Sequence, residues 1–561
     1  MKTYRYLPLV AFLLGMQPGN AYARESEIPA RDYGIAFQEI DLRGKVTTAQ
    51  GDPLPGVSVV VKGTQIGTTS DQNGDFVLEN IPNDAVLVFS LLGFRSREIA
   101  VAGQREIKLA LEEDLQSLDE VVVVGYGTQK KVTLTGAVSS VSNEEIVTTK
   151  NENVQNMLTG KIPGVRVVQR TAEPGTFNNA FDIRGLGTPL IVIDGVPRTM
   201  ADLQRLNADD IDNISVLKDA SAAIYGVRSA NGVVLITTKK GSGRKSTLTY
   251  DGDFVWQFPS GLPETVDIFE YMTLRNEQAM HNINGGTPIF SEAEFEAYRS
   301  GEKQSTDWYP LVFADFAPQT THNLSATGGN DLIQYYVGAG YMNQGSFFKS
   351  DDLNYTRYNL RSNVTAKIAD RFTLDGGINL ITETQNRPYQ DSWWIIRAFW
   401  RQGPQIPAYA NNDPDRPFHG LIEGDNPISF MDKDIVGYRK FNNSWIQPSL
   451  ALRYDIPGIE GLHVRTLFSY DYSMDNRTYF QQEYEQYRYD EATESYSTFT
   501  RQSPDRITRE AYFRSQILSQ TSLNYTGSFG GHQLGGTLVW EAQKRKGDNL
   551  IAQRDLGLPL P

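Results

Sequence analysis

The sequence predicts a mainly β protein, with a small β-sandwich, a compact α+β domain and then the first part of a transmembrane antiparallel β-barrel. Three observations predict this order. Short strands broken by turn residues run from 42 to 112, strands and helices mix between 132 and 241, and long alternating strands follow over 245–561. A large soluble sandwich also alternates, but the strand length and the many aromatic residues favour a membrane barrel.

Composition excludes several classes of protein. The 561 residues carry 53 Lys and Arg against 67 Asp and Glu, a net charge of 53 − 67 = −14, so the basic face of a nucleic-acid binder is not expected. The absence of cysteine rules out disulfide scaffolds and thiol catalysis. A mean hydropathy of −0.40 is too polar for a bundle of membrane helices, but it suits strands that are half polar.

Residues 1–23 have the three parts of a secretory signal peptide. Lys2 and Arg5 supply the positive start, an apolar run from Leu7 to Gly15 follows, and Ala21-Tyr22-Ala23 forms a small-x-small cleavage site. A membrane anchor is the alternative, but the apolar run is about half of the ~20 residues that a spanning helix needs. We therefore expect cleavage after this site and export from the cytoplasm.

Residues 42–112 are predicted to form a sandwich, because β-branched residues recur between turn signals. The predicted strands are Arg43–Thr47, Val57–Val61, Gly67–Thr69, Gly74–Leu78, Val86–Leu91, Arg97–Val101 and Arg105–Leu109. Gly44-Lys45-Val46, Pro55-Gly56-Val57-Ser58-Val59 and Gly74-Asp75-Phe76 resemble the carboxypeptidase-regulatory-like domain. That resemblance implies a module that is not an enzyme and often precedes an outer-membrane transporter.

Residues 113–131 form a linker around four consecutive valines, Val121–Val124. Such a run favours extended backbone. Two alternatives stay open from physics: a buried strand of a neighbouring domain, or an exposed strand with which a partner pairs through main-chain hydrogen bonds. The segment resembles the TonB box of SusC-like TonB-dependent transporters. The resemblance implies that TonB binds Asp119, Glu120, Val121, Val122, Val123, Val124 and Gly125.

Residues 132–241 are predicted to be a compact α+β domain. Its predicted elements are strands over Thr133–Val141 and Gly232–Lys239, an amphipathic helix over Asn151–Leu158 and a short helix over Ala220–Tyr225. Pro189–Pro197 is predicted to be an apolar strand that runs into a turn at Asp194-Gly195. Gly160 to Val165, Ile183-Arg184-Gly185, Val192 to Pro197 and Ala223 to Gly226 resemble the TonB plug as the SusC-like family writes it. The plug motifs thereby implied are Arg184, Gly185, Asp194, Gly195, Tyr225 and Gly226.

Five charged residues of this domain are of types that enzymes use. They are Asp182, Arg184, Asp194, Lys218 and Asp219. We interpret them as ion pairs within the plug or against a barrel wall, because buried charges must pair. No catalytic residue, metal site or cofactor is expected anywhere in the chain.

After residue 245 the strands have one apolar and one polar face. Tyr358, Leu360 and Val364 alternate with Arg357, Arg361 and Asn363, and the same pattern recurs around Phe468 and Asp471 and around Trp540 and Glu541. Two long insertions, roughly 259–318 and 385–443, are predicted extracellular loops, which carry recognition. Trp393, Trp394 and Trp400 lie in the second insertion, where they could stack on sugar rings or serve as loop core or interface belt.

About nine to eleven strands are predicted before Pro561, whereas the barrel of the family that this sequence resembles closes with about 22. An open sheet edge in lipid is costly, so we expect the chain to be the front part of an interrupted barrel.

The resemblance implies import of a nutrient across the outer membrane, most of all an oligosaccharide, with peptides as an alternative. The implied partners are TonB with ExbB and ExbD, a SusD-like surface lipoprotein and membrane lipid. The alternatives are a non-functional fragment, or a secreted binding or adhesion protein without transport.

Overall fold

The structure is a computed structural model that describes residues 39–48, 51–112, 121–124, 127–130 and 138–556, except positions 63, 65, 84, 92–93, 95–96, 244, 262, 282–285, 423 and 531. The predicted signal peptide lies outside these residues. The chain divides into two compact units, one that ends at residue 120 and one that begins at residue 121. Each unit is described by itself.

The first unit has two small sheets around one apolar core. Its strands are β1 (Glu39–Thr48), β2 (Ser58–Val61), β3 (Gly67–Thr69), β4 (Asp75–Pro82), β5 (Val86–Ser90), β6 (Arg97–Ala100) and β7 (Glu106–Leu111). One sheet has the order β4-β1-β7 and the other β3-β2-β5-β6. Phe76 and Phe89, one from each sheet, meet edge to face with ring centroids 5.5 Å apart. The predicted seven strands are present, with ends that differ by a few residues.

The second unit begins with a small hairpin of β8 (Val121–Val124) and β9 (Gly127–Lys130). The plug follows. Its elements are β10 (Val138–Ser142), α1 (Asn143–Ile146), α2 (Val154–Met157), β11 (Val165–Val168), β12 (Ala180–Ile183), β13 (Leu190–Ile193), β14 (Val196–Arg198), α3 (Met200–Gln204), β15 (Ile211–Leu217), β16 (Val233–Thr238) and 3-10 helices at Ala208–Asp210 and Asp219–Ser229. A five-stranded sheet of order β10-β15-β16-β13-β14 forms its centre, and β11 pairs with β12 apart from it.

Two plug elements differ from their predicted bounds. The predicted helix over Asn151–Leu158 is shorter, because Asn153 caps it by accepting a hydrogen bond from the Gln155 amide at 2.9 Å. The predicted helix over Ala220–Tyr225 is of the 3-10 type and is interrupted at Gly226.

A nine-stranded antiparallel sheet makes up most of the second unit. Its strands are β17 (Thr247–Gln257), β18 (Ala317–Gly329), β19 (Ile333–Gln344), β20 (Asn354–Ala369), β21 (Phe372–Pro388), β22 (Gly437–Asp455) and β23 (Leu462–Gln481), followed after the separate hairpin β24 (Tyr484–Asp490) and β25 (Ser495–Arg501) by β26 (Arg506–Phe529) and β27 (His532–Asp555). Each strand pairs with the next one along the chain, except that β23 pairs with β26. The separate hairpin is not among the elements predicted from the sequence.

The long connections follow β17, β21 and β23 and therefore all lie at the same end of the strands. Short turns join the strands at the opposite end. The long connections carry α4 (Ile268–Met280), α5 (Glu292–Arg299), α6 (Tyr309–Val312), α7 (Ser392–Arg401), α8 (Pro427–Met431) and α9 (Lys433–Val436). These connections share one apolar cluster, which includes Trp308, Val312, Phe348, Ile395, Phe399, Ile428, Phe430 and Tyr484. The two predicted insertions are therefore packed structures. Among the described residues, no helix is long and apolar enough to cross a membrane.

The two faces of the sheet differ as predicted. Leu248, Tyr250, Phe254 and Trp256 of β17 are more than half exposed on one face. The other face contacts the plug, and Arg357 and Arg361 of β20 are buried there. A period of two places every second residue of a strand on the same side, so the residues that alternate with the apolar ones share this face.

Candidate functional site

Val121–Val124, the predicted TonB-binding segment, is a strand. β8 pairs antiparallel with β9, from Val121 opposite Lys130 to Val124 opposite Gly127. Within the described residues the hairpin is a sheet of its own and joins neither the sandwich nor the plug sheet. Asp119, Glu120 and Gly125 lie outside the described residues. One edge of β8 is thus paired inside the chain. No strand of the described part is hydrogen-bonded to its other edge, although β8 lies close to β15 and β16 of the plug.

Arg184, Gly185, Asp194 and Gly195 form two turns of the plug. Their φ angles are 53°, 77°, 52° and 87°, all in the left-handed region. The first pair follows β12, where the Asp182 carboxylate accepts a hydrogen bond from the Gly185 amide at 2.8 Å. The second pair joins β13 to β14, and two successive positive φ angles are the requirement of a type I′ hairpin turn.

The Asp194 carboxylate joins the plug sheet to the large sheet. It accepts hydrogen bonds from the Thr238 amide at 2.9 Å and from the Thr238 hydroxyl at 2.8 Å. Arg361 Nη1 of β20 lies 3.5 Å from the same carboxylate. The predicted plug motif at Asp194 therefore has a structural ion pair against the sheet.

The other candidate charges of the plug make local contacts. Lys218 donates hydrogen bonds to the Pro163 carbonyl and, at 3.1 Å, to the Ser139 hydroxyl. Tyr225 is buried among Val192, Leu217 and other apolar residues, and Gly226, with a φ of 67°, interrupts the 3-10 helix to which both belong. The structure brings these residues together as plug architecture, and the described residues contain no group of acids and histidines that could hold a metal ion.

Three arginines join the plug to three strands of the large sheet. Plug Arg198 binds Asp471 of β23 at 3.0 and 3.2 Å, and plug Arg205 binds Glu383 of β21 at 2.9 Å. Arg361 of β20 lies 3.6 Å from plug Asp210, in addition to its contact with Asp194. We call these contacts the plug–sheet ion pairs.

Arg205 has the most elaborate environment of the three. Its guanidinium lies between the rings of Phe177 and Trp445, 4.7 and 4.8 Å from their centroids. Glu383 also accepts hydrogen bonds from the Tyr355 hydroxyl at 2.7 Å and from the Asn443 amide at 2.8 Å. Burial lowers the pKa of Arg205, but Glu383, Tyr355 and Asp202 together raise it, so that the pKa lies above its ordinary value.

A cleft lies between the plug and strands β17–β20. Plug Lys150 spans part of it and binds Asp253 of β17 at 2.8 Å. Glu152, close to it in the chain, is 7% exposed, and burial raises the pKa of its carboxyl despite the nearby Arg357. Polar groups thus surround this space on both sides.

Trp393, Trp394 and Trp400 lie on α7 in the predicted ligand insertion. Ile395, Ala398 and Phe399 anchor the helix, whereas the three tryptophans are 68%, 40% and 51% exposed. Arg397 lies over the Trp394 ring at 4.4 Å. These three rings are therefore not part of the buried core of the loop.

Sequence reasoning missed Arg198, Arg205, Glu383 and Asp471 as partners. Their only signal was position, because Glu383 and Asp471 stand on the polar faces of β21 and β23, which also carry other charged residues such as Arg387 and Arg465. Which plug residue each would meet depends on contacts 178 and 273 residues apart in the chain.

Comparison with known proteins gives two family matches. Residues 130–233 match the TonB-dependent Receptor Plug Domain, and residues 42–123 match the CarboxypepD_reg-like domain. The chain is 36% identical over 399 residues to TonB-dependent receptor P26 of Formosa agariphila, covering 68% of this chain and 38% of that protein. It is 31% identical over 439 residues to TonB-dependent receptor SusC of Bacteroides thetaiotaomicron, covering 74% and 41%.

Among solved structures, the RagAB peptide importer in its open-open state matches with a TM-score of 0.61 at 21% identity, over 77% of this chain and 50% of that chain. This likeness supports the mainly β fold with its plug. The chain spans about two fifths of the length of the curated relatives that it matches.

Breaking one buried plug–sheet ion pair should destabilise plug docking. For Arg205→Ala we expect a loss of about 3–5 kcal/mol, because Glu383 stays buried without its counter-charge. Arg228→Ala is the control, since Arg228 is 41% exposed in its pair with Glu541 and should cost at most about 1 kcal/mol. Hydrogen exchange of α3 peptides in the whole chain measures the loss of stability in each variant. Equal effects of the two variants would contradict the assignment, and Arg205→Met combined with Glu383→Leu should recover much of the loss.

The pKa of Glu152 is raised in the folded protein from its ordinary value of 4.5. The folded state therefore binds this proton more tightly than the unfolded state, so the plug loses stability as the pH rises from about 4.5 through the raised pKa. Glu152→Gln should be more stable than the parent above this window and equal to it below. Melting temperatures over a pH series measure this. Glu144→Gln, at an exposed position of α1, is the control, and a parent profile unchanged by Glu152→Gln would rule out this account.

Proposed function

We propose a function for the chain from the family that these matches support, the SusC-like TonB-dependent receptors: it takes part in TonB-dependent import of a nutrient across the outer membrane. The observation that carries the proposal is the plug, held by buried ion pairs against the polar face of a large antiparallel sheet and preceded by the short strand β8. In this arrangement the plug contacts the sheet on one side, and it is connected in the chain to β8, with which a partner strand can pair.

TonB, energised through ExbB and ExbD, binds the edge of β8 that β9 leaves open. A partner strand added there is held by successive main-chain hydrogen bonds, which suit a pulling force because they break together only under load. The force reaches the plug through the residues that follow the hairpin. The plug–sheet ion pairs then exchange their partners for water, and cargo passes along the polar face.

The first candidate for the cargo is an oligosaccharide, held under a SusD-like surface lipoprotein. The exposed rings of Trp393, Trp394 and Trp400 support this, since flat aromatic rings stack on sugar rings. A peptide is the second candidate, because the RagAB structure that matches in fold is described as a peptide importer. The chain resides in the outer membrane after cleavage of residues 1–23. The named relatives are receptors, and the proposal assigns no catalytic step.

Proline substitutions in β8 test the role of this strand. Successive N–H groups of a strand point to opposite edges, so either Val122→Pro or Val123→Pro removes an N–H from the open edge. We expect one of the two variants to weaken binding of the purified periplasmic domain of TonB to the purified chain at least tenfold. Val122→Thr and Val123→Thr keep the main-chain donors and are the controls. If both proline variants bind TonB as the parent does, the β8 proposal is wrong.

A further inference from the structure

Two arginines lie side by side on the plug-facing side of the sheet, near the end of the strands that carries the long connections. Arg387 of β21 is directly opposite Arg439 of β22. Their face is fixed by neighbours on β21, because Glu383 contacts plug Arg205 and Gln385 donates a hydrogen bond to the plug Pro174 carbonyl. Residues at even spacing from these share the same side.

The charges of these two arginines are unequally compensated. Arg387 Nη2 lies 2.5 Å from the plug Glu173 carboxylate. The carboxylate paired with Arg439 is that of Asp391, at 3.9 Å, and Asp391 already caps α7 by accepting a hydrogen bond from the Trp394 amide. The Nε of Arg439 is buried and has no hydrogen-bond partner among the described residues. Like charges directly opposite on neighbouring strands are destabilising, so this pair lowers the stability of the empty protein.

Two aromatic rings contact the guanidinium group of Arg439. Its guanidinium lies 5.1 Å from the Tyr389 centroid and 5.8 Å from that of Tyr479. Stacking uses the faces of a guanidinium and leaves its in-plane N–H groups free to form bidentate hydrogen bonds with an oxyanion. The next arginine across the sheet, Arg477, is already neutralised by Asp475 at 2.6 Å.

A second pair of opposed arginines, on β22 and β23, offers a comparison for Arg439. Arg453, at the other end of β22, is directly opposite Arg465 of β23. The Arg453 guanidinium, however, is 2.8 Å from the Asp455 carboxylate. Arg453 therefore has its counter-charge within the chain, whereas Arg439 has a distant and shared one.

We propose that Arg387 and Arg439 form a site for an anionic group, a carboxylate or sulfate, on the oligosaccharide cargo. The inference rests on the proposed import function and narrows its substrate class to acidic saccharides. The bound oxyanion supplies the close counter-charge that Arg439 lacks, while Arg387 keeps its contact with Glu173. Asp391 places this site at the start of α7, the helix that carries the exposed tryptophans.

Binding to the purified whole chain in detergent tests the site. The probes are short oligogalacturonates, a sulfated oligosaccharide, a neutral malto-oligosaccharide and a short polyglutamate peptide, measured by calorimetry at low salt. We expect the parent to bind an acidic saccharide more tightly than the neutral one, with an affinity that falls as salt is added. Arg439→Gln should weaken acidic-saccharide binding about tenfold, Arg439→Lys should weaken it less, and Arg453→Gln should leave it unchanged.

Other outcomes overturn the proposal. These are no preference of the parent for acidic over neutral saccharide, unchanged binding in Arg439→Gln at an unchanged melting temperature, an equal loss in Arg453→Gln, or tighter binding of polyglutamate than of either acidic saccharide. If Arg439→Gln fails to fold, Arg439→Lys decides between these outcomes, because it keeps the charge and loses the planar donor pair. TonB binding is measured separately, so a chain that binds acidic saccharide but not TonB would refute import and leave the anion site standing.

Discussion

Buried charge between the plug and the large sheet is the constraint on which the second unit depends. An unpaired charge in such surroundings costs several kcal/mol, so the plug is stable only where Arg198, Arg205 and Arg361 each meet a carboxylate. The sheet residues of these pairs come from β20, β21 and β23. They therefore fix the register of three strands as well as the position of the plug, since a slip of one residue would turn each of them to the apolar face.

The same two-faced strands explain how one sheet meets two environments. One face presents large apolar side chains, such as Tyr250 and Trp256, and the other is polar and contacts the plug through buried ion pairs. At the end of the strands that carries the long connections, the two faces of the sheet do not determine which side chains are buried. There the insertions build their own apolar cluster, which orients α7 so that its tryptophans face outward while Ile395 and Phe399 stay buried.

The plug combines an apolar interior with a mainly polar boundary, and this contrast bears on the import function that we propose. Its own core consists of fully buried residues such as Ile146, Ile193 and Leu203. Its contacts with the sheet include many ion pairs and hydrogen bonds, such as those of Asn363 with Thr238 and of Gln447 with Asp202. One small apolar cluster, of plug Val196 with Ala451, Leu467 and Leu518, joins them. Water can solvate these polar groups when the plug moves, but it cannot replace apolar packing at similar cost. A domain built this way can be displaced at its boundary before its interior opens.

The sequence by itself determined which residues share a face. Alternation identified Arg357 and Arg361 as opposite in direction to Tyr358 and Leu360, and turn chemistry marked Asp194-Gly195 as a hairpin turn. Only the tertiary structure decided which distant groups meet. Arg205 finds Glu383, β8 finds β9, and Arg439 is left beside Arg387 without a close carboxylate, while an additional hairpin separates β23 from β26. The physical reason is that a period of two gives the direction of a side chain, whereas its partner depends on strand stagger and on where the plug comes to rest.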